Sequence, residues 1–224
     1  VNELGTGETA SASRITECAQ ALNDIFKEFQ ADGMQLWKIS TSSAITLTAN
    51  VGSYVIGIGG TVNQTAPLKI LGAYTRNTTT NTDTDLQLWT KQEYDAYSSK
   101  VQSGAPTNLY YNPPGTLTSG EMRGTIYLLD RPDTAFAAGN QLYVTGHYPM
   151  EDFDAASDIP DCPSYYYNAV VWALADQLAW ESGTPPGDRD RITRKAEMHR
   201  EKAKSFDIEE GSLYIQPNWQ SQAS

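Results

Sequence analysis

Tyr165 to Trp180 is apolar on nearly every side for about four helical turns, and few folds can accommodate such a segment. Pro163 sits where a helix tolerates a missing N–H, and Gly183 with Pro185-Pro186 marks the stop. Asp161 or Cys162 is the expected N-cap. Tyr166, Val170, Ala173/Leu174 and Gln177/Leu178 form one face; Val171, Trp172, Ala175, Ala179 and Trp180 cover much of the others. A helix of this kind must be covered on more than one side. It is either the central core helix of a monomer, or it packs within its own subunit and also against a neighbour. The second reading makes Tyr166, Val171, Trp172 and Trp180 the candidate subunit-contact residues.

The residues ahead of it are acidic: Glu151, Asp152, Asp154, Asp158 and Asp161, with no compensating base. Asp152, Asp154 and Asp158 could gather oxygens around Ca2+, but the EF-hand spacing and its central glycine are missing. An acidic turn capping the helix is the plainer expectation. His147 and His199 with two separated cysteines make no zinc set, so no metal and no cofactor is expected.

Elsewhere the period changes twice. Ser11 to Asp32 carries Ile15, Cys18/Ala19, Leu22, Ile25/Phe26 and Phe29 at helical spacing, with Gly33 as the stop. From Leu36 to Tyr148 short β-rich runs alternate with Gly, Asn, Pro and Thr clusters: Ile45-Thr-Leu-Thr, Tyr54-Val-Ile-Gly-Ile, Leu68-Lys-Ile-Leu, Gln87-Leu-Trp, Ile126-Tyr-Leu-Leu and Leu142-Tyr-Val. These predict a β-sandwich or partly closed, barrel-like domain. Lys91 to Ser98 reads as one short helix, and Asn77 to Asp85 as a polar hairpin tip. Asp188 to Phe206 reads as a charged helix with a thin seam of Ile192, Ala196, His199, Ala203 and Phe206.

The expected organisation is α+β. Residues 1–35 supply a loop and a first helix, 36–149 an inserted β-domain, 150–206 the acidic loop and two helices, and 207–224 a C-terminal arm. The first helix returns to pack on the late ones in an antiparallel helical bundle, because each has an apolar stripe and no nearer partner. The arm carries Leu213, Tyr214, Ile215 and Trp219, too much apolar surface to leave in water. It either docks on another chain or folds back on its own β-domain.

The formal charge of −11 disfavours general nucleic-acid binding. Between Asp188 and Lys204 seven bases face four acids, a local +3 that leaves −14 for the rest. Cys18 and Cys162 suggest no disulfide framework, and no signal-peptide or membrane-spanning pattern is visible, consistent with cytoplasmic synthesis. The chain begins at Val1 rather than Met, which suggests that residues precede it in the full-length protein. Motifs of the common hydrolases and nucleotide binders are lacking. Gly57-Ile58-Gly59-Gly60 lacks the third spaced glycine of a dinucleotide loop and reads as a strand-ending turn. Nothing singles out a carboxylate pair for glycoside hydrolysis. Thirteen Tyr and five Trp on β-runs keep a carbohydrate-binding module, of a tail or cell-surface protein, as the competing class.

Four ordered patterns resemble the head-to-tail adaptor (connector) proteins of tailed, short-tailed bacteriophages. They are Ala21 to Gly33 followed by Leu36-Trp37; Gly104-Ala105-Pro106-Thr107 with Tyr110-Tyr111 and Gly124 to Leu128; Tyr148 to Asp154 through Asp158-Ile159-Pro160; and Gly211 to Pro217. Together they span most of the chain from Gly5 to Pro217, though a helix usual before Leu4-Gly5 is largely missing. The resemblance implies a non-enzymatic virion protein at the head–tail junction. It would form a ring of about twelve copies beneath the portal. Its partners would be the portal, a tail nozzle or tail-tube protein, and itself. DNA would pass through the channel without specific binding, and no membrane would be involved. In that setting Leu213, Tyr214, Ile215 and Trp219 would be the portal-docking residues.

Overall fold

The structure is a computed structural model that describes residues 12–34, 36–116, 122–150, 152–153 and 162–206. Helix α1 (Ala12–Ala31) follows the predicted periodicity and buries Ala21, Ile25, Phe26 and Phe29. It ends in a Schellman turn. Gly33 takes φ +77°, its N–H reaches the Gln30 carbonyl at 3.1 Å, and the Met34 N–H reaches that of Phe29 at 3.0 Å. Phe29 and Met34 then bury together, the apolar contact such a turn requires.

Among the described residues there are ten strands, in chain order β1 (Ile39–Thr41), β2 (Ile45–Thr46), β3 (Ser53–Gly57), β4 (Lys69–Asn77), β5 (Asp83–Trp89), β6 (Ser103–Gly104), β7 (Asn108–Thr116), β8 (Met122–Leu129), β9 (Arg131–Pro132) and β10 (Asn140–His147), and the β-rich runs named above fall on β2, β3, β4, β5, β8 and β10. Eight form one sheet in the order β1-β10-β4-β5-β7-β8-β3, with β2 also on β10; β6 and β9 pair separately. The sheet curls into a half-barrel around a core that includes Ile45, Tyr54, Ile56, Leu109, Ile126, Leu142 and Val144. Of the two expected shapes, the partly closed barrel is therefore the one observed, not the two-sheet sandwich. The cause is β5. Its first half pairs antiparallel with β4 (Ala73↔Leu86 to Arg76↔Asp83) and its second half parallel with β7 (Gln87↔Asn108 to Trp89↔Tyr110), joining what would otherwise be two sheets. A parallel pair needs a long crossover, and residues 90–107 supply it.

That crossover contains α2 (Lys91–Ala96), closed by a capping box between Thr90 and Glu93. The hydrogen bonds from the Thr90 N–H and hydroxyl hold the Glu93 carboxyl below its usual range. The expected hairpin tip joins β4 to β5, and its stem is clamped by Arg76 on Asp83 at 2.6 and 2.7 Å. The Gly57–Gly60 run is a strand-ending turn, with the Gly60 N–H on the Gly57 carbonyl. β7 was hidden in the sequence by Pro113-Pro114. The two prolines sit in a bulge between Asn112 and Gly115, where the ladder with β8 slips and their missing N–H groups break no regular pair. Helix α3 (Thr134–Gly139) was also not foreseen; Asp133 caps it through the Phe136 N–H at 2.7 Å.

Two more helices complete the described residues, α4 (Tyr167–Glu181) and α5 (Pro186–Phe206). Cys162 does not take the capping position, and Asp161 lies outside the described residues. A 3-10 turn, Ser164–Tyr166, comes first with Pro163 at the flank, and α4 starts from Tyr166 without a side-chain cap. The Pro163 carbonyl accepts the Tyr166 N–H at 2.9 Å, tightening the entry by one residue. Gly183, at φ +68°, follows the end of α4 as expected. No disulfide joins Cys18 and Cys162.

Candidate functional site

A second core sits among α1, α4 and α5, built from Ile25, Phe26, Phe29, Met34, Met150, Tyr166, Ala169, Val170 and Ala203. Tyr166 is its centre. Its ring lies 4.5 Å from Trp37 and 6.1 Å from Phe29, and none of the residue is exposed. The chain leaving β10 is pinned to α1 from both sides. Asn23 Oδ1 accepts the Phe153 N–H at 2.7 Å, and Asn23 Nδ2 donates to the Phe153 carbonyl at 3.3 Å. Phe153 itself packs on Phe26 at 5.3 Å.

Helices α4 and α5 meet through mixed contacts. Thr193 donates to Asp176 at 2.6 Å, the rings of Trp172 and His199 stack in parallel at 6.2 Å, and Lys195 Nζ lies 4.4 Å from the centre of the Trp172 ring. The seam of α5 is thus occupied as expected at Ile192, Ala196, His199 and Ala203, with Ala203 fully inside. Phe206 is the exception: it is 73% exposed, and its ring meets Tyr165 at the rim at 5.7 Å.

The four residues expected at a subunit contact divide three ways. Tyr166 is a correction: it fills its own chain's core and offers no surface to a neighbour. Trp172 is half-buried beneath α5. Val171 and Trp180 are exposed, at 42% and 66%, and Arg189 covers one face of the Trp180 ring at 4.5 Å. Tyr167 is as exposed as Trp180 and was missed; its place one turn before Val171 was the available signal. Leu213, Tyr214, Ile215 and Trp219 lie outside the described residues, as do Glu151, Asp154, Asp158 and Asp161. Asp152 is described, and it pairs with Lys27 at 3.5 Å.

The aromatic surface of the sheet is largely self-occupied. Tyr74 and Tyr143 stack at 5.1 Å under the Arg76 guanidinium, and Tyr110 stacks on Tyr94 at 5.0 Å and on Tyr127 at 5.6 Å, with Tyr94 and Tyr127 tilted against each other at 5.1 Å. A small cleft of about 170 Å3 opens where β4 and β5 diverge, lined mainly by Leu68, Ile70, Leu88, Leu109, Tyr111 and Pro113. Tyr111 crosses its wall to donate to the Pro67 carbonyl at 2.5 Å, and Lys69 is the only charged residue along it among the described residues. Such a lining supplies no acid–base pair. Among the described residues no group of three or more His, Cys, Asp or Glu side chains is placed to hold a metal, and no helix is long and apolar enough to cross a membrane.

No protein-family model matches the sequence, and comparison with curated proteins gives no match. What the fold defines is a mixed α+β protein whose curled sheet and helices keep separate cores.

Proposed function

We propose that this chain is a structural, non-enzymatic head-to-tail adaptor of a tailed bacteriophage. In this reading about twelve copies form a ring that joins the portal to a tail nozzle or tail tube and lengthens the DNA channel. The three helices act as an antiparallel bundle, with the β-domain inserted in it and residues 207–224 as a docking arm. The protein is made in the bacterial cytoplasm and ends in the virion at the head–tail junction.

The observation that carries the reading is the closure of one helical core by Asn23 and Phe153, 130 residues apart, with the strands of the curled sheet between them. It matches the helix, β-insert, helix order expected from the sequence, along which the adaptor-like patterns fall. Tyr167 and Val171, one turn apart on α4, add an exposed apolar surface suited to a neighbour, and Trp180 is exposed on another side of the same helix. The self-stacked tyrosines weigh against the carbohydrate-binding alternative, because a ring already stacked on another offers one face fewer to a sugar.

The test is negative-stain imaging of the full chain with and without the portal protein encoded alongside it. A ring seated beneath the portal is expected. A monomer that neither forms rings nor binds the portal, and whose Trp fluorescence is quenched saturably by a sugar, would return the carbohydrate-binding class.

A further inference from the structure

Helix α5 carries three parallel stripes of four residues, each at i, i+4, i+7 and i+11. Ile192, Ala196, His199 and Ala203 face inward. One position earlier, Arg191, Lys195, Met198 and Lys202 form a stripe of three cations and one exposed methionine. Two positions earlier, Asp190, Arg194, Glu197 and Glu201 form a stripe of three acids and one base. All eight residues of these two stripes are exposed. Lys195 lies over Trp172, so the basic stripe runs beside α4, where the preceding residue in sequence, Val171, is exposed. On the far side of α5, Arg200 is held by Glu28 and Asp32 of α1.

The geometry points to a contact between copies of this chain in which the basic α4/α5 flank of one, centred on Val171 and Met198, packs on the acidic outer stripe of α5 in the next. The occupant follows from charge. A two-fold contact centred on Val171 and Met198 would set the basic stripe against itself, whereas a head-to-tail contact with the same centre sets it against the acidic stripe, which the same helix presents about a quarter-turn away. Val171 and Met198 supply the apolar centre and the charges the rim, as in a standard interface. A head-to-tail contact closes into a ring when its rotation permits. This inference rests on the ring reading above and names the surface that would build the ring.

Two double variants test it in the full chain: R191E/K202E, which makes the basic stripe acidic, and E197K/E201K, which does the reverse. Lys195 is left intact because it covers Trp172. Unchanged melting temperatures establish that both variants fold. Sedimentation velocity at low salt, alone and with the portal, should show wild-type assemblies. Each variant alone should need about tenfold more protein or higher to assemble. An equimolar mixture should recover wild-type assembly, with the two variants alternating. Variants that assemble as readily as wild type, alone or on the portal, would overturn the contact and leave the adaptor reading standing. A mixture that stays as weak as its components would also overturn it. A wild-type chain that neither self-associates nor joins the portal would remove both readings.

Discussion

Arg200 donates to Asp32 across 168 residues of sequence, Nη2 to Oδ2 at 2.7 Å, and the same guanidinium donates to Glu28 at 2.8 Å. The pairing corrects a local fault. Glu28 and Asp32 stand at the C-terminal end of α1, where the helix dipole is negative, and α1 has no base in its own last turn. Arg200 supplies the positive charge from α5 and covers the Phe29 ring at 5.6 Å. Burial alone would lower its pKa; the hydrogen bonds to Asp32 and Glu28 outweigh that and raise it.

Arg200→Ala should therefore destabilise the chain by about 1 kcal/mol, since both carboxylates are partly exposed and screened. Urea unfolding at low and high salt is the measurement, with Asp32→Ala as the second arm of a double-mutant cycle. A cost independent of salt, with no coupling to Asp32, would leave only packing on Phe29.

Tyr166 and Val171 should separate folding from assembly. Tyr166→Ala removes a fully buried ring and should cost about 3–5 kcal/mol. Val171→Ser should stay within about 0.5 kcal/mol of wild type, because the side chain is exposed, yet weaken self-association. Thermal melts paired with sedimentation read both effects. Unimpaired assembly by Val171→Ser would take this residue out of the contact.

Alkali should unfold the protein through its buried tyrosines. Burial raises the hydroxyls of Tyr111 and Tyr148 above the ordinary 10.0, and that of Tyr54 rises despite its hydrogen bond with Thr48. A raised folded value gives stability that is complete below pH 10 and lost as pH climbs from there through the folded values, because the unfolded chain releases its protons first. Tyr111→Phe should cost about 1 kcal/mol at neutral pH, through the lost bond to Pro67, and should flatten the alkaline fall. Wild-type and variant stabilities would then converge above pH 10. Parallel curves would mean that Tyr111 is not one of the groups responsible.

Removing the residues after Asp207 tests the arm. Under the docking reading the truncated chain keeps its stability within about 1 kcal/mol and no longer joins DNA-filled heads. A truncated chain that loses its fold, while any folded remainder still binds the portal, would assign Leu213, Tyr214, Ile215 and Trp219 to their own subunit.

Local chemistry wrote much of this architecture into the chain. The spacing from Ile15 to Phe29 with Gly33 behind it defined α1, the period-two runs defined most strands, and Gly183 marked the end of α4. Each is a decision made within a few residues by side-chain period or by the sterics of φ. The tertiary structure decided what depends on distant partners. Parallel pairing of β5 with β7 made one curled sheet of what the strand pattern allows as two. Burial against Phe29 and Trp37 turned Tyr166 inward, although the same stretch offered four other aromatic residues, Tyr165, Tyr167, Trp172 and Trp180. The exposure of Val171 and Trp180 was settled in the same way, because an all-round apolar helix carries no internal instruction about which side its neighbours will occupy.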